Sequence, residues 1–261
     1  MICSKLCVFT NFALGCFLFF SFLLASCSNN SKNNCEFSDK TEGPQKRLSQ
    51  LIVNSRNDWG IVKFSIEYDE QGRIVKVDSD RSDKFMTLVC DYNDNFFRIG
   101  EYTGILNDDG YVYFSNHPLI EEEEFVGNFV YNNKGQLAHI HNSIIGKVSF
   151  KWKNDNLIQR KVSGYKTYYY YTSIEDKAKL GFIHGFLGSL SYENTIVPNF
   201  PYYMLLGEHS KCLPSAIGAK RVNHKMSYIL DDEGYVEEMI VIYPYNNGYS
   251  QYMFEYENVD I

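Results

Sequence analysis

The stretch FSIEYDEQGRIVKV, residues 64–77, decides how this chain is read. Phe64, Ile66 and Tyr68 alternate with Ser65 and Glu67, the period of two that marks a half-buried strand. Asp69 opens a turn, because its carboxylate can bond the backbone two residues on. Gly72 takes the left-handed position that closes a type I turn with a bulge. Arg73 to Val77 then returns as a second strand. Dihedral angles and local hydrogen bonds explain each of these residues, so the unit is a hairpin and not a site.

Looser copies recur. FVYNNKGQLAHI (129–140) keeps Tyr131, a polar turn, Gly135, Leu137 and Ile140. YILDDEGYVEEM (228–239) keeps Gly234, Val236 and Met239, and ILNDDGYVYF (105–114) has Asp109-Gly110 before Val112. FKWKNDNLIQRKV (150–162) places Asn156 where the glycine would be, and CDYNDNFFRI (90–99) is a glycine-free variant. Asn is the expected substitute, since it tolerates the left-handed region better than most residues. Many hairpin signals at short, uneven intervals predict an antiparallel meander and not a solenoid. With 21 Tyr, 19 Phe and 6 Pro, the composition suits pleated surfaces. The expected fold is all-β, a hairpin meander curled into a barrel-like or strongly twisted sheet with one short helical insertion.

The N-terminus is a targeting segment. Lys5 precedes an apolar run from Leu6 to Ala25, and Leu24-Ala25-Ser26 lead directly to Cys27. Small residues before a Cys at the end of such a run resemble the lipobox of bacterial lipoproteins. The resemblance implies cleavage before Cys27 and acylation of its sulfur, and two or more acyl chains hold a protein stably at a membrane. An uncleaved anchor and an ordinary signal peptide are the alternatives. The expected organisation is a signal peptide over 1–26, a flexible Asn/Ser-rich tether over 27–45, and one β domain over 46–261.

The hairpins YDEQGRIVKV (68–77) and WKNDNLIQRKV (152–162), then GEHSKCLPSAI (207–217) and the closing YMFEYE (252–257), follow a recognisable order. Together with the lipobox, they resemble the Bacteroidetes-type lipoproteins described as a domain of unknown function with a porin-like fold, over roughly residues 47–257. The resemblance implies a curled, barrel-like sheet facing the periplasm or the cell exterior as an outer-membrane lipoprotein. It implies no activity and carries over no catalytic residue. A second likeness, to the tyrosine-aspartate repeats of large secreted shells, is intact only in the first hairpin, and the chain is too short for a shell.

Residues 163–225 hold no hairpin motif. YKTYYYYTS (165–173) predicts a strand with aromatics on both faces. From Ser173, with Glu175 and Asp176 in the first turn, the pattern predicts a short helix, weakened by Gly181, Gly185 and Gly188. NTIVPNFPYYMLL (194–206) predicts a loop. The insertion, about 174–206, is the expected lid of any cavity. Tyr168, Tyr170, Phe182, Phe186 and Tyr202 are the candidate ligand contacts, because exposed aromatic patches mark contact surfaces.

Other chemistry is thin. Asp91, Asn93 and Asn95 have calcium-loop spacing, but Phe96 and Tyr102 stand where that loop needs Gly and Glu. Glu121–Glu124 is a charge run of a solvated loop. His139 and His141 share one strand face with no third ligand in sight. No nucleophile elbow, P-loop or dinucleotide fingerprint occurs. No metal, cofactor or enzymatic activity is expected. If cleavage follows Ser26, Cys35, Cys90 and Cys212 remain beside the lipidated Cys27. One disulfide is open to them, and Cys90 has the surroundings of a buried thiol. Net charge −7 argues against nucleic acid as a partner.

Three functions are therefore weighed. The first is a non-catalytic, lipid-anchored binding module for a protein, glycan or apolar ligand. The second is a structural or interaction protein of the outer envelope without a small-molecule pocket. It predicts a filled interior. The third is an integral outer-membrane barrel, against which the charges Glu67, Lys76, Glu237 and Glu238 speak.

Overall fold

The computed structural model describes residues 45–55, 60–82, 87–100, 102–116, 127–142, 146–179, 200–219, 222–244 and 248–259. These form sixteen strands: β1 (Lys46–Ser55), β2 (Gly60–Tyr68), β3 (Ile74–Ser79), β4 (Leu88–Asn93), β5 (Phe96–Ile99), β6 (Tyr102–Leu106), β7 (Val112–Ser115), β8 (Gly127–Tyr131), β9 (Leu137–Asn142), β10 (Gly146–Lys153), β11 (Asn156–Val162), β12 (Tyr165–Glu175), β13 (Cys212–Ala219), β14 (Val222–Leu230), β15 (Val236–Ile242) and β16 (Tyr249–Asn258). One five-residue helix, α1 (Phe200–Met204), precedes β13.

Every strand pairs antiparallel with its neighbours in sequence, and β1 also pairs with β16, so the sheet closes into a barrel. Closure removes the exposed edges that an open meander would leave. The expected meander is therefore present in its fully closed form.

The turns follow the residues identified in the sequence. Asp69 Oδ1 accepts hydrogen bonds from the amides of Gln71 (3.0 Å) and Arg73 (2.8 Å). Asn107, Asn132 and Asp231 repeat that pattern at the same spacing. Gly72, Gly110, Gly135 and Gly234 all have φ between 73° and 87°. Each hairpin carries a register shift just past its glycine. Such bulges add the twist that a closing sheet needs.

Two turns differ from expectation. At β10–β11 the left-handed residues are Asn154 and Asp155, with φ of 51° and 56°, and not Asn156. Asn156 is buried, and its Oδ1 accepts from the Cys212 amide at 2.9 Å. At β4–β5 the left-handed residue is Asp94 (φ 48°).

A second repeat was not read from the sequence. Seven even-numbered strands contribute an aromatic whose polar atom donates to a carbonyl of the preceding odd strand. The pairs are Tyr68 to Leu48 (2.7 Å), Tyr92 to Ile74 (3.1 Å), Tyr131 to Val112 (2.8 Å) and Trp152 to Leu137 (2.7 Å). Tyr171 to Leu157 (2.8 Å), Tyr228 to Pro214 (2.6 Å) and Tyr256 to Val236 (2.8 Å) complete the set. In four pairs the acceptor lies two residues past a turn glycine, beside the bulge. The ring fills the interior, while the hydroxyl or indole N–H satisfies a carbonyl beside the irregularity.

Candidate functional site

Inward-facing side chains come from all around the wall: Leu51, Phe64, Val77, Phe97, Ile140, Val148, Ile217, Met239 and Tyr252 are each at most 2% exposed. They belong to one apolar cluster. A water-filled lumen at their level would leave them accessible, so this level of the barrel is filled.

α1 adds to the filling. Tyr202 is fully buried, its ring centroid 6.0 Å from that of Phe97 on β5. Its hydroxyl faces Ser115 on β7, and burial pushes its ionisation far above the usual range. Tyr203 lies beside Tyr202 (6.1 Å). Burial raises its phenol to about 12, against the opposing pull of the inward Arg160 guanidinium. The same burial raises Tyr169, which Arg160 reaches with a hydrogen bond.

Residues 205–212 form a strap across the hairpin turns. The Val112 amide donates to Leu205 O, and the Glu208 amide to Gly135 O, both at 2.9 Å. Tyr111 Oη donates to Glu208 (2.9 Å). Ser210 Oγ accepts from the Leu157 amide (3.0 Å) and pairs with Tyr171 Oη (2.8 Å). At Gly207 (φ 84°) a Cβ would collide with Gly135 O and the Tyr131 ring, so glycine is required there. Burial lowers the His209 imidazole to about 4, with Glu208 opposing and Lys179 adding to the shift.

Of the candidate ligand contacts, the described ones, Tyr168, Tyr170 and Tyr202, do not converge. Tyr168 and Tyr170 point outward from β12, Tyr170 being exposed, while Tyr202 is sealed inside. Phe182, Phe186 and the lipidation residue Cys27 lie outside the described residues, as do most of the insertion and Glu121–Glu124. The start expected for a helix at Ser173 is strand, and its continuation beyond Lys179 lies outside the described residues. Ser173 to Glu175 continue β12, and α1 forms in the apolar end of the stretch 194–206, expected to be a loop leading into an apolar segment. Alternating aromatic residues favour the pleated strand, and the Tyr202-Tyr203 pair gains burial that a loop would forgo.

His139 and His141 share the outer face of β9, with ring centroids 6.2 Å apart. Among the described residues no three His, Cys, Asp or Glu side chains gather into a metal-holding group. Asp91 is paired with Arg98. Cys90 is a free buried thiol pushed up to about 12 by burial. Cys212 is disulfide-bonded.

The solved structures place this geometry. The chain has a porin-like fold. It is similar to a porin-like protein from Bacteroides uniformis ATCC 8492, with TM-score 0.58 and 18% identity over 80% of this chain and 98% of that one. It is also similar to a porin-like protein from Bacteroides vulgatus ATCC 8482, with TM-score 0.56 and 16% identity over 82% of this chain and all of that one. No family model and no curated protein matches the sequence. The likeness establishes the porin-like barrel.

The wall of this barrel has the opposite polarity to a transmembrane one, which is apolar outside and polar within. Outward positions carry Lys63, Glu67, Lys76, Asp91, Arg98, Lys151, Lys161, Lys166, Lys225, Glu237 and Glu255, interspersed with exposed apolar residues such as Ile61, Phe96 and Ile229, while the inner face is predominantly apolar. Several strands are also short. β5 and β7 have four residues each, against the roughly 9–11 that a tilted strand needs to cross a bilayer.

Proposed function

We propose that this protein is a lipid-anchored barrel of the cell envelope that works through its outer surface and neither spans the bilayer nor conducts through it. The observation that carries the reading is the inverted polarity of the wall: apolar side chains sealed inside, charged side chains outside. A charged side chain facing hydrocarbon costs several kcal/mol, and this wall carries charges on most of its strands. Attachment is then the task of Cys27, whose lipobox-like setting and polar tether suit a globule held at the membrane surface. An outer-membrane lipoprotein, periplasmic or surface-facing, fits this arrangement.

The filled interior favours an interaction protein over a carrier with an internal pocket. Neither α1 nor the strap leaves Tyr202 exposed to an entering ligand. No activity is assigned, since the described wall and plug bring no nucleophile, base and oxyanion donors together.

Two measurements test this. Detergent extracts the wild-type chain, whereas a Cys27→Ala chain with a cleavable secretory signal is released as a water-soluble domain. Planar bilayers incubated with the lipidated protein show no channel conductance. Steady single-channel steps, or a Cys27→Ala chain still requiring detergent, would overturn the proposal.

A further inference from the structure

The outer wall is divided electrically. On β1 to β5 most cations have acidic partners. Arg47 pairs with Glu257, Arg73 with Asp69, Arg98 with Asp91, and Lys76 with Glu67 and Asp78. Strands β9, β10, β11, β13 and β14 contain no acidic residue, and β12 has one, Glu175, at its last position. Their outer face carries Lys147, Lys151, Lys161, Lys166 and Lys225, all exposed and with no ion pair among the described residues. This is a basic face on a protein of formal charge −7.

The registers order these cations into rows. Lys161 stands directly opposite Lys166 across β11–β12. Like charges so placed repel and are destabilising, so folding alone gives no reason for the pair. In the next row Lys151 faces Gln159, which faces Tyr168, which faces Gly218 on β13. In the row beyond, Tyr170 faces Ala216, which faces Lys225. Each tyrosine thus has a cation in its own row and a neighbour of minimal size on its β13 side. Small neighbours leave ring faces free, and successive outward positions on β12 repeat at about 6.6–6.8 Å.

We propose that this face of β10–β14 binds an acidic polysaccharide, the lysines meeting its carboxylate or sulfate groups and Tyr168 and Tyr170 stacking on its sugar rings. The inference rests on the reading that the wall faces water. Charge complementarity selects an anion, and the rings interleaved with the lysines select a flat polymer over a simple counter-ion. Exposed apolar groups on this face, Tyr165 and Ile229 beside Tyr170, stand singly among the lysines, a pattern that suits stacking on sugar rings, and DNA and anionic vesicles are the competing polyanions of the test.

The test uses the full lipidated chain in detergent, with immobilised polygalacturonate and dextran sulfate as probes. Neutral dextran, a single-stranded DNA oligonucleotide and anionic vesicles are the comparisons. The expected result is retention by the acidic polysaccharides and not by neutral dextran, weakening as salt rises. Binding falls at least about tenfold in Lys161→Glu/Lys166→Glu, and by a similar factor in Tyr168→Ala/Tyr170→Ala, where charge is unchanged. Lys161→Glu alone raises the melting temperature while weakening binding, which separates the effect from misfolding. The inference is overturned by absence of polysaccharide binding, by tyrosine variants that bind as wild type, or by tighter binding to DNA or vesicles. If the barrel proves water-exposed yet binds no polysaccharide, this inference falls and the anchored-barrel reading stands.

Discussion

Four consecutive tyrosines on β12 face two different worlds. Tyr169 and Tyr171 point inward, where Tyr169 is sealed in the core and Tyr171 donates to Leu157 O and pairs with Ser210. Tyr168 and Tyr170 point outward among lysines that have no ion pair among the described residues. Residue type is the same, and the pleat alone assigns the roles. The inward pair has its rings packed, and burial raises both phenols. The outward pair has polar surroundings, Tyr170 being exposed and Tyr168 half-buried. On this strand the inner face carries stability, and the outer face carries the recognition we propose.

The first way to break the comparison is Tyr169→Ala, expected to cost about 3–5 kcal/mol in urea unfolding, while Tyr168→Ala stays within about 0.5 kcal/mol. Equal costs would mean that the two faces are not distinct.

The strap offers the next largest effect. Burial lowers the His209 imidazole to about 4 from the ordinary 6.5, so the unfolded chain binds more protons between those pH values. Its contribution is complete above pH 6.5 and is lost as pH falls toward 4, by up to about 3 kcal/mol. Stability curves of His209→Gln should therefore be flatter across that window than those of wild type.

Tyr171→Phe keeps the ring and removes the hydroxyl shared with Leu157 and Ser210, at an expected cost of about 1–2 kcal/mol. Smaller again, and opposite in sign, Lys161→Glu turns a like-charge pair into an attractive one and stabilises by about 0.2–1 kcal/mol. Smallest is Lys76→Ala, which removes exposed ion pairs to Glu67 and Asp78 and should leave the unfolding midpoint essentially where it is in wild type, because solvent screens such pairs. Thermal or chemical denaturation of each variant checks these values.

The hairpins were legible because each is local. Asp69, Gly72 and the alternation on β2 lie within a few residues, and the physics of the turn is written there. Closure was not legible. β1 and β16 pair across about 200 residues of sequence, and no local pattern says which strands meet. The aromatic-to-carbonyl bonds escaped for the same reason, since Tyr68 meets Leu48 only after β1 and β2 pair. Asn156 was misread as a turn residue because its spacing after Trp152 mimics the glycine hairpins. Its burial against Cys212 depends on the later strap. Of the candidate contacts, Tyr168 and Tyr170 are on the outer face, as a strand with aromatics on both sides requires, while Tyr202 is core. The lysine face left a sequence signal that went unused: residues 137–174 contain a single acid, Asp155.

The central claim is that this porin-like barrel keeps its outer wall in water. It is tested most directly by cysteines placed mid-wall at the outward positions Ser65 and Ser227, one at a time, in the lipidated, membrane-bound protein. Cys90 is buried, so the introduced thiols dominate the reaction. The account predicts that a membrane-impermeant thiol reagent labels both positions at the rate of an exposed thiol, with no quenching of an attached fluorophore by brominated lipid tails. Protection from the reagent together with quenching by those tails would place the wall in the bilayer and contradict it.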